Sequence, residues 1–305
     1  MKKIYLLIPL LILVFLSGGC SQIQSALKTG IPASGISTSS DEGMLAVYFI
    51  DVGQGDAVLV KSPNGTSMLI DSGPAAEGGN LVSTLRSLGV STLDIVVATH
   101  PQDDSVGGLA AVMSAFPVGA FVGSGIPSDS GTYANLLNLA AEKNISVRTV
   151  SRGDVLDMDP LLNITVLNPP KIFFQDLSDN SRMNQNSIVL RLEYGDRSFL
   201  FMSDAETETE DALRTEGDVL KADVLKIGYH GSSASSGTKF LNTVNPEIAV
   251  IGTDTSNKYP SKTVLKRLDA LGTTIYRTDL NGTIRITSDG TSLDVTTFGK
   301  ETDSG

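Results

Sequence analysis

Residues 47–71 read VYFIDVGQGDAVLVKSPNGTSMLID. Three short runs in and around this stretch have the apolar, β-branched character of strands: LAVYFIDV (45–52), AVLVKS (57–62) and TSMLID (66–71). Pro63, Asn64 and Gly65 separate the second run from the third, which predicts a tight hairpin. The glycines of DVGQGDA (51–57) join the first run to the second. No helical pattern follows them, so they predict a strand-to-strand turn rather than a loop that cradles phosphate.

Outward from this opening, strands and helices intermix. NLVSTLRSLG (80–89) has helical spacing at Leu81, Leu85 and Leu88 and stops at Gly89. LDIVVATH (93–100) is an apolar strand, SVGGLAAVMSAF (105–116) a helix and AFVG (120–123) a strand. TYANLLNLAAEKN (132–144) is an amphipathic helix that Asn144 can close. VRTV, ITVLNP, SIVLRLEY and SFLFMSD follow as strands up to Asp204, then ADVLKIGYH (222–230) and EIAVIG (247–252). SKTVLKRLDALG (261–272) is a helix, and TIRITSDG with SLDVTTF forms a final hairpin. Hairpins at both ends and mixed elements between them predict a layered α/β sandwich rather than a purely parallel, doubly wound sheet.

Of 305 residues, 41% are hydrophobic and 19% charged, enough to bury a large core. The 23 Lys and Arg against 34 Asp and Glu give a net charge of −11, which argues against strong general affinity for nucleic acid. One Cys excludes an intrachain disulfide and a cysteine-based zinc site. Two His exclude a dinuclear centre built mainly from imidazoles.

The amino terminus reads as a targeting segment. Lys2 and Lys3 precede an uncharged apolar run from Ile4 to Leu16, shorter than the ~20 residues that span a bilayer. Ser17, Gly18, Gly19 and Cys20 then resemble a lipoprotein cleavage box, with Cys20 as the lipidated residue. This divides the chain into a signal peptide (1–19), a flexible Ser/Gly/Thr-rich tether (20–43), a single domain (44–298) and a frayed polar tail (299–305). The expected location is the extracellular face of the cell membrane, or the medium if Cys20 is unmodified.

Four apolar runs end in a residue able to hold a metal: Asp71, His100, Asp204 and His230. Ligands of layered α/β folds gather beyond the carboxyl ends of strands, and both histidines of the chain sit at such ends. HGSSASSG (230–237) could hold an anion on its backbone N–H groups or serve as a plain loop before a helix. Neither a Walker A motif nor a Gly-x-Ser-x-Gly elbow occurs.

Taken together, FIDVGQGDAVLV, MLIDSG, THPQDDSVGG, NQNSIVLRLEYGDRSFLFMSDAE, LKADVLKIGYHGSSASS and NGTIRITSDG resemble the metallo-β-lactamase-fold hydrolases. Within that group they are similar to the metallo-hydrolase domain of DNA-uptake competence proteins of the ComEC type. The resemblance spans residues 47 to about 295 and implies a four-layer αββα sandwich with its site at one edge between the sheets. It implies metal ligation by His100, Asp104, Asp204 and His230. Asp71 would support them, and Gln102, Ser105, Asn184, Asn186 and Tyr229 would surround them. The pattern is incomplete. Gln102 and Ser105 stand where the family has metal-binding side chains, Tyr229 replaces the first His of a later pair, and Ser203 replaces a Gly.

By this resemblance Asp104, Asp204 and His230 form the retained half of a two-metal site. His100 is a further ligand or proton-transfer group, so His100 and Asp104 carry the catalytic expectation. Two carboxylates and an imidazole suit one Zn²⁺ or Mn²⁺ per chain. The implied activity is hydrolysis of a small or polymeric phosphodiester, DNA among the candidates, by a metal-bound hydroxide. A catalytically decayed, lipid-tethered binding or scaffold module of the same fold is the alternative, and β-lactam hydrolysis a weaker third.

Overall fold

The computed structural model describes residues 41–175, 178–215, 217, 219–255 and 259–299. The signal segment, Cys20, most of the tether and the tail from 300 onward lie outside the described residues.

One eight-stranded sheet has the order β14-β13-β1-β2-β3-β4-β5-β6. Its strands are β1 (Leu45–Phe49), β2 (Val58–Lys61), β3 (Ser67–Ile70), β4 (Leu93–Ala98), β5 (Val118–Gly123), β6 (Ser146–Thr149), β13 (Thr283–Ser288) and β14 (Leu293–Phe298). The other sheet has the order β12-β11-β10-β9-β8-β7. It is built from β7 (Asn163–Asn168), β8 (Val189–Tyr194), β9 (Arg197–Phe201), β10 (Val224–Lys226), β11 (Ile248–Ile251) and β12 (Thr274–Arg277).

Strand alternation stacks these sheets face to face. Val47, Phe49, Ile95 and Val97 of the first sheet share a core with Phe199, Phe201, Val224 and Val250 of the second. Their neighbours Ala46, Tyr48, Val96 and Ala98 point the other way, under the helices Gly78–Ser87, Leu109–Ala115 and Gly131–Glu142. On the far side Leu200, Leu225 and Ala249 pack with Phe240, Leu241, Val264 and Leu268 from the helices Thr238–Val244 and Lys262–Ala270. Period-2 strands buried on both faces therefore produce the expected four layers, helix, sheet, sheet, helix.

Strands β3 to β6 run parallel, as do β9 to β12. Their carboxyl ends, rather than hairpin turns, therefore supply the loops along one edge of the sandwich. The hairpins β2–β3 and β13–β14 form as the turns predict. The run 105–116 is two helices, Asp103–Val106 and Leu109–Ala115, rather than one. Gly107 and Gly108 sit at the break. A Cβ at Gly107 would lie 2.4 Å from the Ala75 nitrogen and one at Gly108 2.7 Å from the Ser72 oxygen, so the chain passes too close there for larger residues.

The packed part of the chain also starts earlier than Met44. Asp41 is buried, accepts a hydrogen bond from the Tyr48 hydroxyl and pairs with Arg285 at 3.2 Å. The carboxyl end of the expected tether is thus part of the domain.

Candidate metal centre

Asp71, His100, Asp204 and His230 come together at this edge, contributed by the ends of β3, β4, β9 and β10. The backbone turns sharply to deliver them. Asp71 (φ 57°), Ser203 (φ 49°), Tyr229 (φ 46°) and His230 (φ 51°) all adopt left-handed conformations without being glycine. Each such residue costs of order 1–3 kcal/mol and persists only where its surroundings enforce it.

Asp71 organises the His100 strand end. Its carboxylate accepts from the Thr99 backbone N–H at 2.9 Å and the Thr99 hydroxyl at 2.7 Å. Burial pushes this carboxyl group well above the ordinary range, and the two Thr99 hydrogen bonds oppose that. Because the Thr99 proton goes to Asp71, its oxygen accepts from Ser203 Oγ at 2.6 Å and faces His100 Nδ1 at 3.0 Å. The ring proton therefore sits on Nδ1, which leaves a lone pair on Nε2. That lone pair faces Gln102 Oε1 at 3.1 Å, Ser105 Oγ at 3.4 Å and Asp204 Oδ2 at 3.6 Å. Two lone pairs at 3.1 Å repel unless the Gln102 amide is turned round or a cation lies between them.

His230 is set in the same tautomer. Its Nδ1–H donates to the Gly252 carbonyl at 2.9 Å. Its Nε2 is buried with no hydrogen-bond partner among the described residues and lies 3.7 Å from Asp204 Oδ1. Both Asp204 oxygens are likewise buried and unpartnered, in a side chain 1% exposed. Asp204 thus presents one oxygen towards each imidazole. Metal–ligand bonds of ~2.0–2.1 Å place tetrahedral neighbours about 3.4 Å apart, so separations of 3.6 and 3.7 Å are too long for hydrogen bonds and suit donors to a shared ion. Orphaned buried carboxylate oxygens are costly, and a cation is the partner they lack. The residues fit a divalent metal.

Asp104, half-buried on the short helix Asp103–Val106, faces this cluster. Burial, then the Asp204 charge, raises its carboxyl group, while His100 and His230 draw it down. A closer set consists of Asp56, Asp204 and His230, one donor atom each within 4.8 Å of one another. Asp56 is a site residue that the sequence reading passed over, as is its partner Lys226, whose Nζ lies 2.6 Å from Asp56 Oδ2. Lys226 is the only Lys or Arg that is fully buried among the described residues. The available signals were a lysine inside the apolar strand VLK and an aspartate immediately before AVLV. Burial pulls the His230 imidazole down, but Asp56, Asp204 and Asp104 outweigh it and the Lys226 charge, so its affinity for a proton is raised.

The remaining expected neighbours divide. Asn184 donates to Glu206 Oε1 at 2.9 Å, and its own Oδ1 is buried without a partner among the described residues. Asn186 is not turned towards the cluster's ligands by any hydrogen bond. It staples a loop, exchanging bonds with the Phe174 backbone and donating to the Arg182 carbonyl. The Tyr229 ring lies 6.4 Å from that of His230 and 5.7 Å from that of Tyr259. Burial, then the hydrogen bond with Tyr259, pushes the Tyr229 phenol up to about 12, so it stays protonated. The N–H groups of the HGSSASSG loop are taken by the protein's own carboxyl group, which burial pushes up to about 7. Ser236 and Gly237 donate to the Glu210 carboxylate at 2.5 and 2.8 Å, and the loop has no need of a ligand there.

Two stacked sheets covered by helices, with carboxylates and imidazoles gathered at strand ends of both, define the class of αββα sandwich metalloproteins. The chain belongs to the metallo-beta-lactamase superfamily, whose family model matches residues 50–253. It is 32% identical to ComE operon protein 3 of Bacillus subtilis (strain 168) over 81% of this chain and 33% of that protein. It is also 32% identical to competence protein ComA of Neisseria gonorrhoeae, over 80% of this chain and 32% of that one. The chain therefore spans about a third of the length of these curated relatives. Among solved structures, the metallo-beta-lactamase fold protein YhfI from Bacillus subtilis aligns with a TM-score of 0.55 at 12% identity, covering 80% of this chain and 100% of that one. This likeness bears on the fold alone. The metallo-beta-lactamase fold implies divalent-metal binding, and the chain has a candidate site for it.

Proposed function

We propose that the domain is a metal-dependent hydrolase of phosphodiesters that holds one Zn²⁺ or Mn²⁺ at Asp204 and His230, with Asp104 and His100 closing the site. The observation that carries this reading is three buried donor atoms without a hydrogen-bond partner among the described residues: Asp204 Oδ1, 3.7 Å from His230 Nε2, and Asp204 Oδ2, turned to His100. When bound, such an ion supplies Lewis acidity and makes water a nucleophile near neutral pH. The protein's own part is orientation. Gly252 fixes the His230 tautomer, the Asp71–Thr99 pair fixes that of His100, and the half-buried Asp104 is placed to take a proton from a nucleophile. The Tyr229 phenol, protonated at neutral pH, can donate to a non-bridging oxygen. A net charge of −11 favours small or short diesters over long nucleic acid.

The expected result is near-stoichiometric metal after incubation with Zn²⁺ or Mn²⁺, and chelator-sensitive cleavage of bis-p-nitrophenyl phosphate. His230→Ala should lose most of the activity. His100→Ala should lose less, because Thr99 occupies Nδ1 and a turned Gln102 amide can donate to Nε2 without a metal. That same feature supports a second reading, in which His100 is a retired ligand and the domain a non-catalytic binding module. A wild-type protein that takes up neither ion and cleaves nothing leaves only the module.

The proposed location is the outer face of the membrane, through a lipid on Cys20 and the Ser/Gly/Thr-rich tether. No helix among the described residues is long and apolar enough to cross a membrane. Cys20→Ser should shift the protein from the membrane to the soluble fraction or leave its signal uncleaved. A variant that is cleaved and fractionates like wild type refutes the anchor.

A further inference from the structure

We infer that the buried Asp56–Lys226 pair is a positioning device for the metal-binding imidazole of His230. The inference rests on the metal reading above.

Three segments distant in sequence meet at this point: the β1–β2 turn of one sheet and the ends of β10 and β11 of the other. Lys226 occupies the inward register of β10, the register that Val224 uses to join the core between the sheets. Its ammonium donates to Asp56 Oδ2 at 2.6 Å and to the Ile227 carbonyl at 3.0 Å. The pair is almost dry, with side chains 4% and 7% exposed. With one oxygen held this way, the other, Asp56 Oδ1, is left buried without a hydrogen-bond partner among the described residues, 3.6 Å from His230 Nδ1. Gly252 completes the contact. Its carbonyl takes the Nδ1 proton, and a Cβ on it would lie 2.3 Å from Asp56 Oδ1 and 2.9 Å from the Gly55 carbonyl. Only a glycine lets the β11 end close simultaneously on Asp56 and on the ring.

A buried ion pair is a poor way to gain stability, since apolar residues of similar size usually do as well. It does fix geometry. Here it ties the loop of one sheet to the ligand-bearing strand of the other, and sets a carboxylate beside the imidazole edge opposite the metal-facing Nε2. The group that accepts a ligand ring's other N–H, here the Gly252 carbonyl that abuts Asp56, orients the ring and raises its basicity, and disturbing such partners typically costs 10–100-fold in metal affinity.

The test is Co²⁺ binding, followed by calorimetry and by the visible absorption of the bound ion, in wild type and in Asp56→Asn/Lys226→Met. The double change removes both charges together, so neither is stranded. We expect this variant to fold, with Co²⁺ affinity reduced at least about tenfold and an altered spectrum. Gly252→Ala, which pushes on Asp56 and the ring while retaining the pair, should change the spectrum in the same sense. A folded double variant with wild-type affinity and spectrum overturns the positioning role and leaves the metal reading intact. A wild type that binds no Co²⁺, Zn²⁺ or Mn²⁺ overturns both.

Discussion

Adding Zn²⁺ or Mn²⁺ to the metal-free domain is expected to raise its melting temperature, and Asp204→Ala to abolish that shift while leaving the metal-free protein at least as stable as wild type. In the metal-free state Asp204 is a buried carboxylate whose two oxygens have no hydrogen-bond partner among the described residues, which is a cost rather than a contribution to folding. Replacing it by alanine removes that cost together with the ligand that faces both imidazoles. An ion at about 100 times its dissociation constant stabilises the folded state by about 2.7 kcal/mol. For a domain of this size each kcal/mol moves the midpoint by roughly 2–4 °C, so the wild-type shift should be about 5–10 °C.

The shift should also grow with pH. Burial raises the carboxyl groups of Asp71 and Asp104, and neighbouring carboxylates raise the imidazole of His230 against the effect of burial. All three hold protons more tightly folded than unfolded. Their contribution to metal-free stability is therefore full below their unfolded values and lost as pH rises through the folded ones. A metal needs the deprotonated forms, so its stabilisation rises over the same range. Melting curves with metal and with chelator between pH 5.5 and 8 check both statements. Equal metal-induced shifts in wild type and Asp204→Ala would remove Asp204 from the site.

The second large effect is expected at Lys226. Lys226→Met alone leaves Asp56 buried without its counter-charge, a change that typically costs 3–5 kcal/mol. Adding Asp56→Asn should recover most of the loss, because a neutral amide is far cheaper to bury. Urea unfolding of the single and double variants measures this directly. A single variant within about 1 kcal/mol of wild type would mean that Asp56 finds another partner at little cost, and that the pair is incidental.

The layered α/β character was legible in the sequence because it depends mainly on short-range patterns, while the four-layer stack was implied by the motifs' resemblance to a family. Val47 and Phe49 against Ala46 and Tyr48, or Phe199 and Phe201 against Leu200, declare strands covered on both faces without reference to anything distant. The same locality marked Asp71, His100, Asp204 and His230, since a polar residue that ends an apolar run is visible within a few positions. Less legible were β12 and the helices Asp179–Gln185 and Thr207–Thr215. The second of these, TETEDALRT, buries Thr209 and Glu210 beside Leu213, so its inner face carries one large apolar residue and no repeating apolar spacing.

Tertiary structure alone decided which of these strand ends share a site and what each side chain does there. Asp56 and Lys226 lie 170 positions apart, and nothing near either one names the other. Asn186 reads like Asn184 in the sequence, yet one staples a loop and the other holds Glu206. The HGSSASSG amides could have awaited a ligand, but Glu210, from a helix of its own, already fills them. The physical reason is one of range. Backbone propensity and strand alternation are settled by residues a few positions apart, so they are written locally. The direction of a buried charge is settled by sheet register and by left-handed turns at Asp71, Ser203, Tyr229 and His230, and those are held in place only by packing across both sheets.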